Sequence, residues 1–239
     1  MRFTAFERIA AERAATPSIP MNKLAIVILI SGRGSNMRAI LDQCTRGTLP
    51  VDIRAVISNR AEAAGLTVAQ DAGVHTEVLN HRAYANREAF DEALQRAIDR
   101  HAPQLVVLAG FMRILTPAFV RHYRGRLINI HPSLLPAFRG LDTHQRALDA
   151  GVREHGASVH FVTEELDGGP LIAQSAVPID TGDDAARLAA RVLEAEHRLY
   201  PTVIGWFAAG RLQWRDDRPW FDGAPLNAPV RFDSAGAAA

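Results

Sequence analysis

A chain of 239 residues, 48% hydrophobic and 22% charged with a formal net charge of +1, has the balance of a globular protein. It is long enough to bury most of its unfolded surface without metal or disulfide staples. Cys44 is its only cysteine, which excludes a disulfide framework or a cysteine metal site and suits a reducing cytoplasm. It has no basic stripe and no apolar run of about 18 residues, so neither nucleic acid nor membrane is an expected partner.

Residues 1–21 are rich in Ala and Arg and lack the apolar stretch of a secretory signal, so they read as an N-terminal extension, disordered or helical. Met21 would then open the working protein. Leu24 to Ser31 is continuously apolar, the pattern of a strand buried on both faces. A helix is expected over Ser35 to Arg46, a strand over Ile53 to Ser58, a helix over Ala61 to Ala72 and a short strand over Val74 to Leu79. A long helix from Asn86 to His101 is closed by Pro103. A strand over Gln104 to Ala109, a short helix over Thr116 to Tyr123 and a strand over Leu127 to His131 follow. This alternation predicts an α/β, Rossmann-like fold: a mostly parallel twisted sheet with helices on both faces. Strands over Ala157 to Thr163 and Pro170 to Pro178 and a helix over Asp183 to Gly210, with a kink expected at Pro201, complete the pattern. Residues 22–226 read as a single domain, and 227–239 as a disordered tail.

Several positions have a polarity that packing alone does not explain. Gly32-Arg33-Gly34-Ser35-Asn36 joins a buried strand to a helix, where exposed N–H groups favour an anion. It lacks the Lys-Ser/Thr of a P-loop, and Met37 stands where a dinucleotide fingerprint has its third glycine. A single phosphate suits it, as does a plain tight turn capped by Ser35 or Asn36. Asn129 and His131 share one face of the fifth strand, at the end where open α/β sheets bind ligands. His131 can equally be a satisfied structural group. An unpaired buried amide at Asn129 costs about 1–3 kcal/mol, so it needs a partner. Ser158 and His160 share one face of their strand, and Asp167 precedes two glycines, as turn residues commonly do. Glu196 falls inside the apolar stripe of the last helix, either reaching solvent at its edge or paired below it.

Together these segments resemble the folate-dependent glycinamide ribonucleotide formyltransferase family. The resemblance runs from residue 24 to about 222, through ISGRGSN (30–36), VVLAGFMRIL (106–115), GRLINIHPSLLP (125–136), GLDTH (140–144), HGASVHFVTEELDGGPLI (155–172) and AEHRLYP (195–201). HPSLLP marks the wider folate formyltransferases; the GxGSN loop and GLDTH point to the purine enzyme. Ala137-Phe138-Arg139 departs from a commoner Lys-Tyr-containing stretch.

The resemblance implies a formyltransferase fold and roles for individual residues. Asn129, His131 and Asp167 match the catalytic trio. Gly34, Ser35 and Asn36 match the phosphate loop, Glu196 the acid that holds the glycinamide, and Ser158 and His160 supporting polar groups around the substrate. Arg87, the segment Met112, Arg113, Ile114 and Leu115, and the loop Thr163, Glu164, Glu165 and Leu166 match positions that contact the folate. The implied reaction is direct: the amine of glycinamide ribonucleotide attacks the formyl carbon of 10-formyltetrahydrofolate through a tetrahedral intermediate. Asn129 and His131, kept protonated by Asp167, donate to its oxyanion. Asp167 takes up the amine proton. No metal is implied, and the partners are glycinamide ribonucleotide and the reduced folate, with the chain a cytoplasmic monomer or weak homodimer. Formyltetrahydrofolate hydrolysis is the nearest rival, and formylation of initiator tRNA the next. Twenty leading residues are too few for the hydrolase's regulatory domain, and no basic C-terminal barrel is expected. A metal or nucleotide binder built on His131, His144, His155, His160 and Asp167 lacks metal-ligand spacing.

Overall fold

The structure, a computed structural model, describes residues 23–233. The expected extension over 1–21 and residues 234–239 of the expected tail lie outside them. The main sheet has eight strands in the order β11-β7-β6-β5-β4-β1-β2-β3. They are β1 (Leu24–Ile30), β2 (Val51–Ser58), β3 (Thr76–Val78), β4 (Leu105–Leu108), β5 (Leu127–His131), β6 (Glu154–Phe161), β7 (Leu171–Pro178) and β11 (Val230–Phe232). Strands β3, β2, β1, β4 and β5 pair in parallel, whereas β6 runs antiparallel to both β5 and β7. The expected mostly parallel α/β sheet is therefore present.

Helices cover the two faces unequally. On one face, α1 (Ser35–Thr45), α2 (Ala64–Asp71) and α6 (Ala185–Ala208) bury a core that includes Ile28, Met37, Ile128, Val159, Leu199 and Val203. On the other, α3 (Arg87–Asp99) and α4 (Pro117–His122) bury Val27, Phe90, Leu94, Val106, Tyr123 and Leu127. That second core ends near β5. Asn129 and His131 continue the row begun by Leu127, and loops rather than a helix cover them.

The chain crosses β1 between β3 and β4, so the segments leaving β1 and β4 diverge and open a crevice, the switch point of an open α/β sheet. Ser31 ties the two together: its N–H donates to Gly110 O (3.1 Å), and its hydroxyl accepts from Met112 N–H (2.8 Å). Tyr200, fully buried on α6, offers its hydroxyl to Leu108 O (2.8 Å) and Ile128 O (3.1 Å), holding β4 against β5 beneath that crevice. Helix α6 continues through Pro201.

Three parts differ from the sequence expectation. Thr143–Asp149 forms a helix, α5, with Thr143 and Ala147 buried, over a stretch too short to show a readable period. Residues 212–225 form a small antiparallel sheet of β8 (Leu212–Arg215), β9 (Arg218–Phe221) and β10 (Ala224–Pro225). The tail expected to be disordered from 227 instead pairs Val230, Arg231 and Phe232 in parallel with Ala173, Gln174 and Ser175 of β7. Phe232 stacks on Trp206 at 6.0 Å between ring centroids, and burial of these two apolar groups supplies the order that the short segment lacks alone.

Candidate active site

The antiparallel register of β5 and β6 decides the site. Asn129 lies opposite His160 and His131 opposite Ser158, so four polar side chains share one face of two neighbouring strands. Asn129 Nδ2 lies 3.3 Å from His160 Nε2, and His160 Nδ1 lies 2.9 Å from Phe161 O. A carbonyl only accepts, so Nδ1 carries the proton, and Nε2 accepts from one N–H of the Asn129 amide. Burial pushes the His160 pKa down, which keeps it in that neutral form. The second amide N–H of Asn129 remains for another acceptor.

Asp167 reaches this face from the long loop between β6 and β7. Its Oδ2 lies 3.4 Å from His131 Nδ1 and accepts the Gly140 N–H at 2.9 Å; its Oδ1 lies 3.8 Å from His160 Nε2. Asp167 has φ +48°, a left-handed conformation in which a short polar side chain can bond locally. It is a turn residue and a partner of His131 at once. The Asp167 side chain is 9% exposed and lines a cavity of about 350 Å³ bounded by Leu135, Pro136, Arg139 and Leu226. His131 Nε2 donates to Phe138 O at 3.0 Å. Phe138 itself has φ +56°, so the loop after β5 is strained where it delivers that carbonyl.

Ser158 does not face solvent. It is fully buried; its hydroxyl donates to Ser133 O (2.7 Å) and accepts from Leu135 N–H (3.0 Å) and Gln174 Nε2 (2.9 Å). Its bonds fix the turn after His131, and its expected place among the substrate contacts is corrected accordingly. Gln174, Phe138 and Gly140 are supports the sequence reading missed. A lone amide in the apolar run LIAQSAV was the signal for Gln174; the other two act through backbone atoms that no side-chain pattern reports.

Across the sheet, on the α6 face, the loop at Gly34 to Asn36 and Glu196 meet. Gly34, not Ser35 or Asn36, is the N-cap of α1, at φ +70°, and no side chain caps the helix. A Cβ at Gly34 would sit 3.0 Å from Gly65 Cα, so this close approach and the positive φ both require glycine. The first-turn N–H groups of α1 are left without intrahelical acceptors. Asn36 turns inward: its Nδ2 donates to Glu196 Oε2 at 2.7 Å. Glu196 is 6% exposed, so it does not reach solvent at the stripe edge. Burial drives its pKa up to about 7 against the lowering effect of the Asn36 bond. Asn36 Oδ1 is buried without a partner.

A formyl transferase family model matches residues 24–204. The phosphoribosylglycinamide formyltransferase of Escherichia coli (strain K12) is 55% identical over 84% of this chain and 95% of its own length. That of Haemophilus influenzae is 45% identical over the same shares. The solved structure of the phosphoribosylglycinamide formyltransferase from Coxiella burnetii, in complex with CHES, superposes with a TM-score of 0.82 at 52% identity, covering 85% of this chain and 96% of that one. The chain belongs to the phosphoribosylglycinamide formyltransferase family.

Within this formyltransferase frame the expected folate positions separate into two groups. Met112 (61% exposed) and Ile114 (60%) follow β4 at the crevice and present apolar surface to solvent; Leu166 does so from the Asp167 loop. Leu115 is half-buried against the α3–α4 core, and Arg113 lies over the Phe90 ring at 5.6 Å. Arg87 opens α3, exposed, 3.9 Å from Glu88, and with Arg113 it draws down the pKa of Asp91 that burial raises. Thr163 Oγ1 donates to Glu165 O (3.5 Å), Glu164 pairs with Arg121 (2.7 Å) and Glu165 with Arg139. The two acids are thus spent in bracing the loop. Among the described residues no helix is long and apolar enough to cross a membrane.

Proposed function

We infer that the chain transfers the formyl group of 10-formyltetrahydrofolate to the amine of glycinamide ribonucleotide, with Asn129, His131 and Asp167 as its catalytic residues. The observation that carries the reading is one carboxylate, Asp167, 3.4 Å from His131 Nδ1 and 3.8 Å from His160 Nε2, with His160 in turn holding the Asn129 amide. The reduced folate is the donor substrate and supplies an electrophilic formyl carbon. The exposed Met112, Ile114 and Leu166 suit a flat, largely apolar ring system, and the Asn129 face offers polar groups for its formyl oxygen.

During attack by the amine, charge builds on that oxygen. The free Asn129 N–H and a His131 N–H are the donors placed for it, and one such donor is typically worth about 10²–10³ in rate. Phe138 O lies 3.0 Å from His131 Nε2, which marks where an acceptor oxygen fits; the substrate oxygen takes its place when bound. Asp167 Oδ2 faces the other ring nitrogen and keeps His131 an N–H donor; Asp167 accepts the proton leaving the amine and helps return one to N10 as the formyl carbon–N10 bond breaks, so that tetrahydrofolate leaves and the formyl group stays on the amine. At the other end of the acceptor, the uncapped N-terminus of α1 at Gly34 to Asn36 suits the phosphate, and Glu196 the glycinamide amine. The same reading places the enzyme in the cytoplasm and assigns no catalytic step to a metal.

The test is a formyl-transfer assay that supplies 10-formyltetrahydrofolate and compares glycinamide ribonucleotide, water and methionyl-tRNA as acceptors. Glycinamide ribonucleotide should be formylated far faster than the other two. Release of formate to water at a comparable rate would make the chain a hydrolase and overturn the reading.

A further inference from the structure

We propose that His75, Glu77 and His101 form a binding site for one zinc-class divalent cation on the edge of the sheet remote from β5, joining β3 to the end of α3. The three offer ligand atoms that all lie within 4.8 Å of one another. His75 and Glu77 are two apart around Thr76 of β3, so they share one face of the edge strand. His101 comes from the turn that follows α3. Both imidazoles aim Nε2 at the same oxygen, Glu77 Oε1: His101 at 2.7 Å and His75 at 3.4 Å.

Those distances are close to what a tetrahedral ion needs. Zinc bonds of about 2.0–2.1 Å set neighbouring ligand atoms roughly 3.3 Å apart. The His75–Glu77 separation already meets this, and His101 must withdraw by only roughly 0.6 Å. Two imidazoles and one carboxylate are a standard three-ligand zinc set, with water at the fourth position. The His75 side chain is 58% exposed and leaves that position open to solvent. A carboxylate, which only accepts when ionised, and two imidazoles, which each hold a lone pair once the proton moves to Nδ1, can all face one cation.

The surroundings hold these ligands in place. Arg100 Nη2 takes the other Glu77 oxygen, Oε2, at 2.8 Å. Its positive charge weakens the attraction for a cation, but it fixes the carboxylate with Oε1 turned toward the imidazoles, as outer partners of metal ligands do. Arg54 Nη1 binds His101 O (2.7 Å) and Ala102 O (3.3 Å), pinning the turn that carries His101. The sequence pattern passes over the set because His101 lies 24 residues beyond Glu77. The site shares no residue with the proposed active centre, so its test is independent of formyl transfer.

The test titrates Zn2+ and Co2+ into the full chain without an affinity tag, by calorimetry and by the visible spectrum of the cobalt form. One equivalent should bind with a Kd of about 10 µM or tighter, and the cobalt form should show the intense bands of a four-coordinate ion. His75→Ala, whose side chain is mostly solvent-exposed, and His101→Ala should each weaken binding at least about tenfold, the lower bound for loss of even an outer partner. His144→Ala/His155→Ala, which removes the other close histidine pair (5.2 Å between ring centroids), should leave the affinity unchanged. Absence of one-equivalent binding overturns the proposal. So does binding that survives His75→Ala in the folded variant, or that disappears with the His144/His155 pair.

Discussion

Two polar clusters lie under the cleft, one on each face of the sheet, and they resolve the cost of burial in opposite ways. On the β5–β6 face, one oxygen of Asp167 has two partners, His131 at 3.4 Å and the Gly140 N–H at 2.9 Å. On the α6 face, Glu196 has the Asn36 amide as partner, and burial raises its pKa to about 7. The first arrangement gives the carboxylate several neighbours that can donate to it; the second leaves it one amide and makes its charge conditional on pH or on a cationic ligand. Under the proposed function, one buried carboxylate serves as a proton acceptor and the other as a sensor of the substrate's amine, by environment alone.

Breaking the β5–β6 cluster should have the largest effect. Asp167→Asn keeps the size and an oxygen for the Gly140 N–H but removes the charge. It should lower kcat by at least about 10²-fold with the fold intact, measured by steady-state formyl transfer and circular dichroism. Near-normal turnover would remove Asp167 from the proposed chemistry.

Glu196→Gln tests the other cluster. At pH 8 it should raise KM for glycinamide ribonucleotide by about tenfold or more, since a hydrogen bond to a charged group is worth about 1.5–3 kcal/mol. In the parent protein KM should climb as the pH falls through about 7, and that limb should vanish in the variant. Stability moves the other way. A carboxyl whose folded pKa lies above its unfolded value stabilises the fold below about 4.5, and that contribution is lost as the pH rises through about 7. Without substrate at pH 8.5, Glu196→Gln should therefore be more stable, by up to roughly 3 kcal/mol in denaturant titrations. A variant that is less stable there would deny that the carboxylate is held at a cost.

Gly34→Ala sharpens the same side. A Cβ at φ +70° costs about 1–2 kcal/mol and presses toward Gly65. KM for the ribonucleotide should rise several-fold while KM for the folate stays put; a defect confined to the folate would move the phosphate elsewhere. The smallest effect is expected at His155, which burial and its neighbours His144 and His131 hold down to about 4. A depressed histidine contributes stability above about 6.5 that is lost as the pH falls toward about 4. His155→Leu should flatten that acid limb, seen as a Tm that falls less between pH 7 and pH 4 than in the parent protein, with formyl transfer at pH 8 little changed.

Much of this was legible because the relevant signals are local. LAIVILI reads as a doubly buried strand, the 3.6-residue stripe of α6 exposes Glu196 as an intruder, and alternation places Asn129 with His131 and Ser158 with His160. The small sheet over 212–225 was missed although Asp216 and Asp217, at φ +48° and +59°, make a two-residue hairpin turn. Aspartates fill that turn less commonly than Asn-Gly, so the local signal was weak.

The sequence by itself determined most strands and helices around β1 to β7 and α6, since period and capping act over a few neighbours. It also marked which polar groups stand in apolar company, because burial follows the same periods. Only the tertiary structure decided that β6 lies antiparallel against β5, that a loop returns Asp167 to His131, that Ser158 is turned wholly inward, and that Phe232 finds Trp206. Each of these joins residues far apart in the chain, and such contacts exist only once the backbone has closed the distance between them.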